Sequence, residues 1–242
     1  MCERCGRLVR VLQGRQPVET PSAQRLRQIE SALLRDLKPV QPILPGYVFL
    51  ALLSALFVAT VAIGSLLLGV AGWSALSAGQ RTVVFAVSAA GGALLAVSLV
   101  RQMFPGSRHA IAPARLLVAV LAVLTVVEVA LFRSQRELAF VSDGLMCLRI
   151  GASYAIPAGF VSWLVLRRGA MLSPKLTGAT AGTFAGLIGV TVLEVYCPNL
   201  NLFHILVWHF GVIVLSALAG LIIGSFASRA PWGPRAGTEP IR

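Results

Sequence analysis

The chain has 242 residues, of which 57% are hydrophobic and only 12% charged, and its mean hydropathy is +0.81. A soluble domain carries about twice that charged fraction, so the composition excludes a soluble globular protein as the main structure. The formal net charge of +12 does not indicate a nucleic-acid-binding domain, because the Lys and Arg residues lie in short gaps between long apolar runs. The sequence therefore predicts an all-α, polytopic membrane protein.

A short amphipathic helix is predicted in the N-terminal tail, residues 1–45. Thr20-Pro21 is typical of a helix start and Pro39 cannot continue a helix, so the helix is expected to cover about residues 21–38. Its apolar residues form one narrow stripe, which consists of Leu26, Ile29, Leu33, Leu34 and Leu37. A single short helix is marginal in water and cannot bury such a stripe against itself. The tail helix therefore requires a second surface.

Two surfaces are open to this helix. Its basic residues would allow it to lie on lipid headgroups. Its acidic residues Glu30 and Asp36 would face an anionic membrane unfavourably, which favours a protein partner. The gaps between the predicted spans are short, so the tail is the only predicted segment long enough to bind a partner outside the membrane.

Cys2 and Cys5 form a CxxC motif near the start of the tail. A structural zinc site needs four ligands, and the tail supplies only two, so these cysteines are incomplete candidates for metal binding. Half of a zinc site shared between two subunits, a redox pair and a pair without function are all left open.

Six apolar segments are each long enough to cross the hydrocarbon core, which takes about 20 helical residues. They are Tyr47–Ala71, Thr82–Val100, Leu116–Phe132, Leu145–Leu166, Leu176–Tyr196 and Leu202–Phe226. A six-helix transmembrane bundle is thus expected over residues 46–228. Residues 229–242, which are rich in Pro and Gly, are expected to form a disordered cytoplasmic end.

The distribution of basic residues predicts the orientation of the bundle. Seventeen of the 21 Lys and Arg residues lie in the tail, in the gaps after spans two and four, and after span six, whereas the other gaps hold three. Because basic residues concentrate on the cytoplasmic side, both termini are expected in the cytoplasm. The gaps after spans one, three and five then face the outer side.

Three ionisable residues lie inside predicted spans, at similar depth near the outer side. They are Glu128, Arg149 and Glu194. A charge in this position is costly unless it is paired, so Arg149 is expected to pair with one of the two carboxylates. Such a pair is either a fixed structural contact or part of a sensing device.

Two cysteines and a histidine are predicted in the same outer layer. Cys147 lies near the start of span four, Cys197 follows span five, and His204 lies about one turn into span six. The cysteines could form a disulfide in an oxidising compartment, bind a soft metal ion together with His204 and Glu194, or be inert buried thiols. His209, deeper in span six, is expected to hydrogen-bond a neighbouring helix.

Small residues recur every four positions in the last two spans. They are Gly178, Gly182 and Gly186 in span five, and Ser216, Gly220 and Gly224 in span six. Such ridges let helix backbones approach closely. They could pack spans five and six together within one chain, or join two chains in a homodimer.

No catalytic motif is present: the sequence has no HExxH, GxSxG or Walker loop. We therefore expect a protein that is not an enzyme and that has no cofactor. The residues alone allow an alternative from another class, a small membrane transporter or metal-handling protein that uses Glu128, Arg149, Glu194 and His204.

Several short elements stand at spacings that together are fairly specific. They are Leu34-Arg35-Asp36-Leu37-Lys38-Pro39-Val40, Cys147, Arg167-Arg168-Gly169-Ala170 followed by Pro174 and Thr177-Gly178, Cys197-Pro198, and Trp208-His209 before a glycine-rich end. Over about residues 25–228 the chain resembles the NrsF-type family of membrane anti-sigma factors. Many relatives have acidic residues after the Cys-Pro pair, where this chain has Asn199-Leu200.

The resemblance implies a regulator of the bacterial inner membrane that sequesters an extracytoplasmic-function sigma factor and releases it on a periplasmic redox or metal signal. It implies sigma-factor contacts by the tail residues Leu26, Ile29, Leu33, Leu34, Asp36, Leu37 and Pro39. It implies that Cys147 and Cys197 sense the signal, and His204 is a third sensor candidate because it is predicted in the same layer. The expected partners are the sigma factor and the lipid bilayer, without direct binding to nucleic acid.

Overall fold

The computed structural model describes residues 21–36, 44–104, 111–134, 140–169, 171 and 173–227. Within these ranges the chain is helical and forms no strand, so the all-α prediction is confirmed. The chain divides into two compact units, residues 1–42 and 43–242. Each unit is described by itself below.

The first unit contains helix α1, Pro21–Asp36. The helix begins at the predicted proline, and residues 37–43, with Leu37 and Pro39, lie outside the described residues. Three apolar side chains of the predicted stripe are largely exposed: Leu26 is 66% exposed, Ile29 57% and Leu34 60%. The helix thus presents an apolar surface that no other described residue of this unit covers.

The second unit contains six helices that are long and apolar enough to cross a membrane, so the chain is a multi-pass membrane protein. They are α2 Gly46–Leu68, α4 Ala78–Met103, α5 Pro113–Leu131, α6 Phe140–Leu166, α7 Pro174–Tyr196 and α8 Leu202–Ala227, with the short helix α3 Ala71–Ala75 between the first two. All six predicted spans are confirmed, with ends that differ by a few residues. Length and apolar character sufficed to find them.

Three connections meet at one end of the bundle. The side chain of Gln80 donates a hydrogen bond to the carbonyl of Leu131 at 3.1 Å. Arg133 pairs with Asn201 through their backbones, and Gly72 lies against the carbonyl of Cys197. The connections after α2, α5 and α7 therefore lie together, and we call this the Cys197 end of the bundle.

Helix α7 forms the centre of the bundle and contacts each of the other five spans. Eighteen of its 23 residues are buried, against three of 23 in α2. Its small Gly, Ala and Thr residues permit neighbours on all sides. Its buried hydroxyls are satisfied locally; that of Thr191, for example, donates to the carbonyl of Leu187 at 2.8 Å.

A buried amide connects α4 to α7 at the end of the bundle opposite the Cys197 end. The amide nitrogen of Gln102 donates to Ser98 Oγ at 3.2 Å and to Thr180 Oγ1 at 3.3 Å. Thr177 Oγ1 donates to Gln102 Oε1 at 2.9 Å. Both sides of the amide are thus satisfied inside the bundle, which fixes the position of α4 against the central helix.

The glycine ridges pack α7 against α8 within one chain. A Cβ on Gly178 would overlap the backbone of Gly220, and a Cβ on Gly182 would overlap the backbone of Ser216. This contact between two backbones is possible only because both ridges lack bulky side chains. The arrangement within one chain, one of the two expected alternatives, is therefore the one that occurs.

Replacing Gly182 with alanine is expected to destabilise the bundle. The new methyl group would overlap the carbonyl oxygen of Ser216, which cannot move without shifting α8. Overpacking of this kind typically costs about 1–3 kcal/mol. Thermal unfolding of the purified chain in detergent should show a lower Tm for Gly182→Ala. The matched control is Gly79→Ala, because no atom lies within 4 Å of a Cβ at Gly79.

Candidate functional site

Two cysteines meet near the Cys197 end of the bundle. Cys147 lies two turns into α6, and Cys197 directly follows α7. Both side chains are buried, and their sulfur atoms are 3.4 Å apart, within the range of a thiol hydrogen bond. The fold therefore brings together two thiols that are 50 residues apart in the chain.

Two histidines of α8 complete the cluster. His204 and His209 are both buried, and their ring centroids are 5.5 Å apart. His204 Nε2 lies 3.7 Å from Cys197 Sγ. The four donor atoms of these cysteines and histidines, two sulfurs and two ring nitrogens, all lie within 4.8 Å of one another. We call these four residues the Cys2His2 cluster.

A local π-helical turn places both histidines on one face of α8. In a regular α-helix, residues five apart point about 140° away from each other. Here residues Ile205–His209 form a π-helical turn in which the amide of Phe210 bonds the carbonyl of Ile205, five residues earlier. The wider turn brings His209 round to the side of His204. Such turns occur frequently at functional sites.

The Nδ1 atom of each imidazole forms a hydrogen bond with a polar side chain outside the cluster. His209 Nδ1 donates to Glu194 Oε1 at 3.0 Å, across from α8 to α7. The amide nitrogen of Asn199 donates to His204 Nδ1 at 3.2 Å, and Asn199 Oδ1 accepts from the backbone amide of Asn201. These contacts occupy the Nδ1 atom of each ring and leave the two Nε2 atoms as the candidate donors to the cluster.

One buried nitrogen of the cluster has no hydrogen bond of normal geometry, although the ring of His209 interacts with the thiol of Cys197. Among the described residues, His209 Nε2 has no hydrogen-bond partner, although its side chain is 1% exposed. Buried polar groups without a partner are rare in proteins, and each one calls for an explanation. Nothing is needed to orient the ring, because Glu194 already does so. The nitrogen is therefore available to a ligand.

Glu128 lies beside this arrangement on α5. It is buried, its Oε2 has no hydrogen-bond partner among the described residues, and it interacts electrostatically with Glu194 and His209. The layer thus contains two carboxyl groups behind the imidazole of His209. A charge change in the Cys2His2 cluster would act directly on both.

The expected pairing of Arg149 with Glu128 or Glu194 is wrong. Arg149 is exposed, and in the described structure it forms no ion pair with either carboxylate. The reason is helical geometry: Arg149 follows Cys147 by two residues, about 200° around α6, so it faces away when Cys147 faces inward. The position of a residue along a span does not determine which face of the helix its side chain occupies.

The cluster lies just beneath the surface of the Cys197 end. Helix α3 packs on the end of α7, because Gly72 lies against the carbonyls of Glu194 and Cys197 so closely that a Cβ would overlap them. Pro198, the residue after Cys197, is exposed. The four side chains of the cluster are therefore buried, while the chain directly after Cys197 reaches the surface.

Sequence reasoning found part of this site. It placed Cys147, Cys197 and His204 in one layer, and it assigned His209 to a hydrogen bond with a neighbouring helix, which the contact with Glu194 confirms. It did not place the second nitrogen of His209 at the cysteines, because it assumed a regular helix. Cys2 and Cys5 lie outside the described residues.

Comparison with known proteins agrees with this picture. The family model NrsF, described as negative regulator of sigma F, matches residues 33–229. This range includes all six spans and the whole Cys2His2 cluster. Searches of curated proteins and of solved structures found no match. The match covers most of the chain and confirms the resemblance seen in the sequence: the protein belongs to the NrsF family of negative regulators of sigma factors.

Proposed function

We propose that the chain is an anti-sigma factor of the bacterial inner membrane that binds an extracytoplasmic-function sigma factor through α1. The observation that carries this proposal is the apolar surface of α1, where Leu26, Ile29 and Leu34 are each more than half exposed. Such a surface on a short helix favours binding to another protein. The family match, which begins at residue 33 and so includes the last turn of α1, supports a sigma factor as that protein.

The further residues assigned to this contact are Leu33, Asp36, Leu37 and Pro39. They continue the same element of the sequence. A stripe of leucines would insert into an apolar groove of the sigma factor, as amphipathic helices do in helix-in-groove complexes. While the sigma factor is held at the membrane in this way, it cannot reach its promoters.

The signal is proposed to enter at the Cys197 end. The connections that meet there carry only three of the 21 Lys and Arg residues, which supports a periplasmic location by the positive-inside rule. The Cys2His2 cluster lies within this end, and a redox or metal signal that acts on its thiols would change the contacts among α6, α7 and α8. We propose Cys147, Cys197 and His204 as the sensing residues.

The alternative of a small transporter loses support. It requires Glu128, Arg149, Glu194 and His204 to line one path through the bundle. Arg149 is exposed on α6, whereas Glu128, Glu194 and His204 are buried. The four residues therefore do not line one path.

The proposed function is tested by affinity purification of the full-length chain from membranes of its host. A sigma factor should co-purify with the intact chain and should be absent from a variant that lacks residues 1–42. This deletion removes one compact unit and leaves the other, residues 43–242, intact. Retention of the sigma factor by the shortened chain would show that the tail is not its binding site.

The proposed orientation predicts the results of topology reporters. Fusions after Lys38, Arg108, Lys175 and Arg229 should report the cytoplasm, and fusions near Ala78, Gln135 and Asn199 should report the periplasm. The expectation follows from the positions of the basic residues. A periplasmic signal at Arg108 or Lys175 would contradict the proposed six-span topology, because those gaps carry the basic residues.

A further inference from the structure

We infer that Cys147, Cys197, His204 and His209 form a four-ligand site for one thiophilic metal ion, Zn²⁺ or Cu⁺. The assignment of this ligand set rests on geometry alone. Its regulatory consequence, given below, rests on the proposed function. The chemistry of two thiolates with two imidazoles suits both ions, since thiolates select Zn²⁺ and Cu⁺ and imidazole binds both metals well.

The distances between the donor atoms are close to those of a tetrahedral site. With metal–sulfur bonds of about 2.3 Å and metal–nitrogen bonds of about 2.0–2.1 Å, two sulfur ligands lie roughly 3.8 Å apart, and a sulfur and a nitrogen lie roughly 3.6 Å apart. The two sulfurs are 3.4 Å apart, and Cys197 Sγ lies 3.7 Å from His204 Nε2. The remaining separations are at most 4.8 Å; since two nitrogen ligands lie roughly 3.4 Å apart, contractions of at most about 1.5 Å would complete the tetrahedron.

The unpartnered nitrogen of His209 points independently to a ligand. Metal-binding histidines usually donate their second ring N–H to a carboxylate, which fixes the ring and its tautomer. His209 already has this arrangement, with Nδ1 on Glu194 and with a buried Nε2 that has no hydrogen-bond partner in the described ranges. Glu194 is therefore assigned a supporting role behind the site and is not a ligand itself.

His204 requires one change to join the site. Its Nδ1 now accepts a hydrogen bond from the amide nitrogen of Asn199, which places the ring proton on Nε2. When Nε2 binds a metal, the proton moves to Nδ1, and a half-turn of the Asn199 amide would present its oxygen as the acceptor, at the cost of the hydrogen bond that this oxygen now accepts from the backbone amide of Asn201. Asn199 thus supports His204 as Glu194 supports His209.

The charges of the site also fit a metal ion. Both thiols lose their protons to solvent when the metal binds, so binding is accompanied by release of protons. Two thiolates and two neutral imidazoles give a neutral unit with Zn²⁺ and a unit of charge −1 with Cu⁺. Either charge is small enough for a buried layer, in which two free thiolates would be unfavourable.

A bound ion would join three spans at the Cys197 end. Cys147 belongs to α6, Cys197 ends α7, and both histidines belong to α8. Helices α7 and α8 are in backbone contact along their glycine ridges, so a shift at one end is carried along both helices. If the proposed function holds, occupancy would bias release of the sigma factor by the difference in metal affinity between the bound and released states.

Metal binding is tested directly with the purified full-length chain in detergent, reduced and freed of metal. The chain is titrated separately with Zn²⁺ in competition with a chelating dye, and with Cu⁺ under anaerobic conditions. Co²⁺ serves as a spectroscopic substitute, since thiolate-to-cobalt absorption reports sulfur ligands. We expect one ion per chain, and the two titrations show which ion is bound more tightly.

Two variants identify the site. Cys147→Ser should abolish the thiolate-to-cobalt band, or weaken it together with a loss of metal affinity of at least about 100-fold. Glu194→Gln should lower the metal affinity about 10–100-fold, as the loss of a supporting contact does. The matched control is Cys2→Ser with Cys5→Ser, which removes the other pair of cysteines and should leave one ion bound. Each variant is compared with the unaltered chain in thermal unfolding, so that loss of binding is separated from loss of folding.

Three results would overturn the assignment. They are an unaltered chain that binds no ion, an ion that is lost only when Cys2 and Cys5 are replaced, and a disulfide between Cys147 and Cys197 in protein taken directly from membranes. Co-purification of the sigma factor with the metal-free chain is measured separately. A failure of the proposed function therefore appears as a missing sigma factor, and a failure of the metal site appears as a missing ion.

Discussion

Ile29→Glu and Leu34→Glu are each expected to activate the target promoters in the absence of any stress. Both positions lie on the exposed apolar surface of α1. A carboxylate there must be desolvated when the sigma factor binds, at a cost of about 2 kcal/mol or more. This corresponds to a loss of roughly 30-fold or more in affinity. Promoter activity in unstressed cells and co-purification of the sigma factor measure the effect.

The matched control for these tail variants is Gln28→Glu. It adds the same charge to the same exposed helix, but on the side opposite the stripe, about 200° from Leu26. Repression should be unchanged. If Ile29→Glu and Leu34→Glu also leave repression intact, α1 does not hold the sigma factor. If they detach the tail from lipid vesicles while the sigma factor stays bound, the apolar stripe serves the membrane surface.

Cys147→Ser combined with Cys197→Ser is expected to abolish induction while repression persists. The two thiols connect α6 to the end of α7, and without them neither a metal ion nor an oxidant can change the contacts at this end. The sigma factor should stay bound, because α1 is unchanged. The ratio of promoter activity with and without oxidant or heavy metal should fall to about one, since the signal no longer distinguishes the two states.

The control for the cysteine variants is again Cys2→Ser with Cys5→Ser, which should retain full induction. Normal induction in the Cys147 and Cys197 double variant would assign both thiols to packing. The signal would then have to be read by other groups of the same layer. Glu128 and His204 would be the next residues to replace.

The sequence alone determined the fold class, the number of spans and their approximate ends. Each span is a stretch of about 20 apolar residues, and a helix is the structure that satisfies the backbone of a single segment in the membrane. This relation depends only on local composition. The common layer of Cys147, Cys197 and His204 followed for the same reason, because position along a span is set by the distance in sequence from its end.

The tail helix could also be predicted from the local sequence. Its start at Pro21 and its stripe follow from residue types and from a period of 3.6 residues. The family could be recognised from short elements at fixed spacings, and the match to residues 33–229 confirms it. What the stripe binds did not follow from the stripe itself, since lipid headgroups and a protein groove both accept an apolar face.

Only the tertiary structure decided which side chains meet. Arg149 was predicted at the depth of Glu194 but is exposed. The direction in which a side chain leaves α6 is set by how α6 packs against α7, and not by composition. The glycine ridges could have faced a second chain, and the fold turned them towards each other. His209 joins the cysteines through a π-helical turn, which the period of a regular α-helix does not predict. Depth is therefore a property of the sequence, whereas orientation around each helix axis is a property of the assembled bundle.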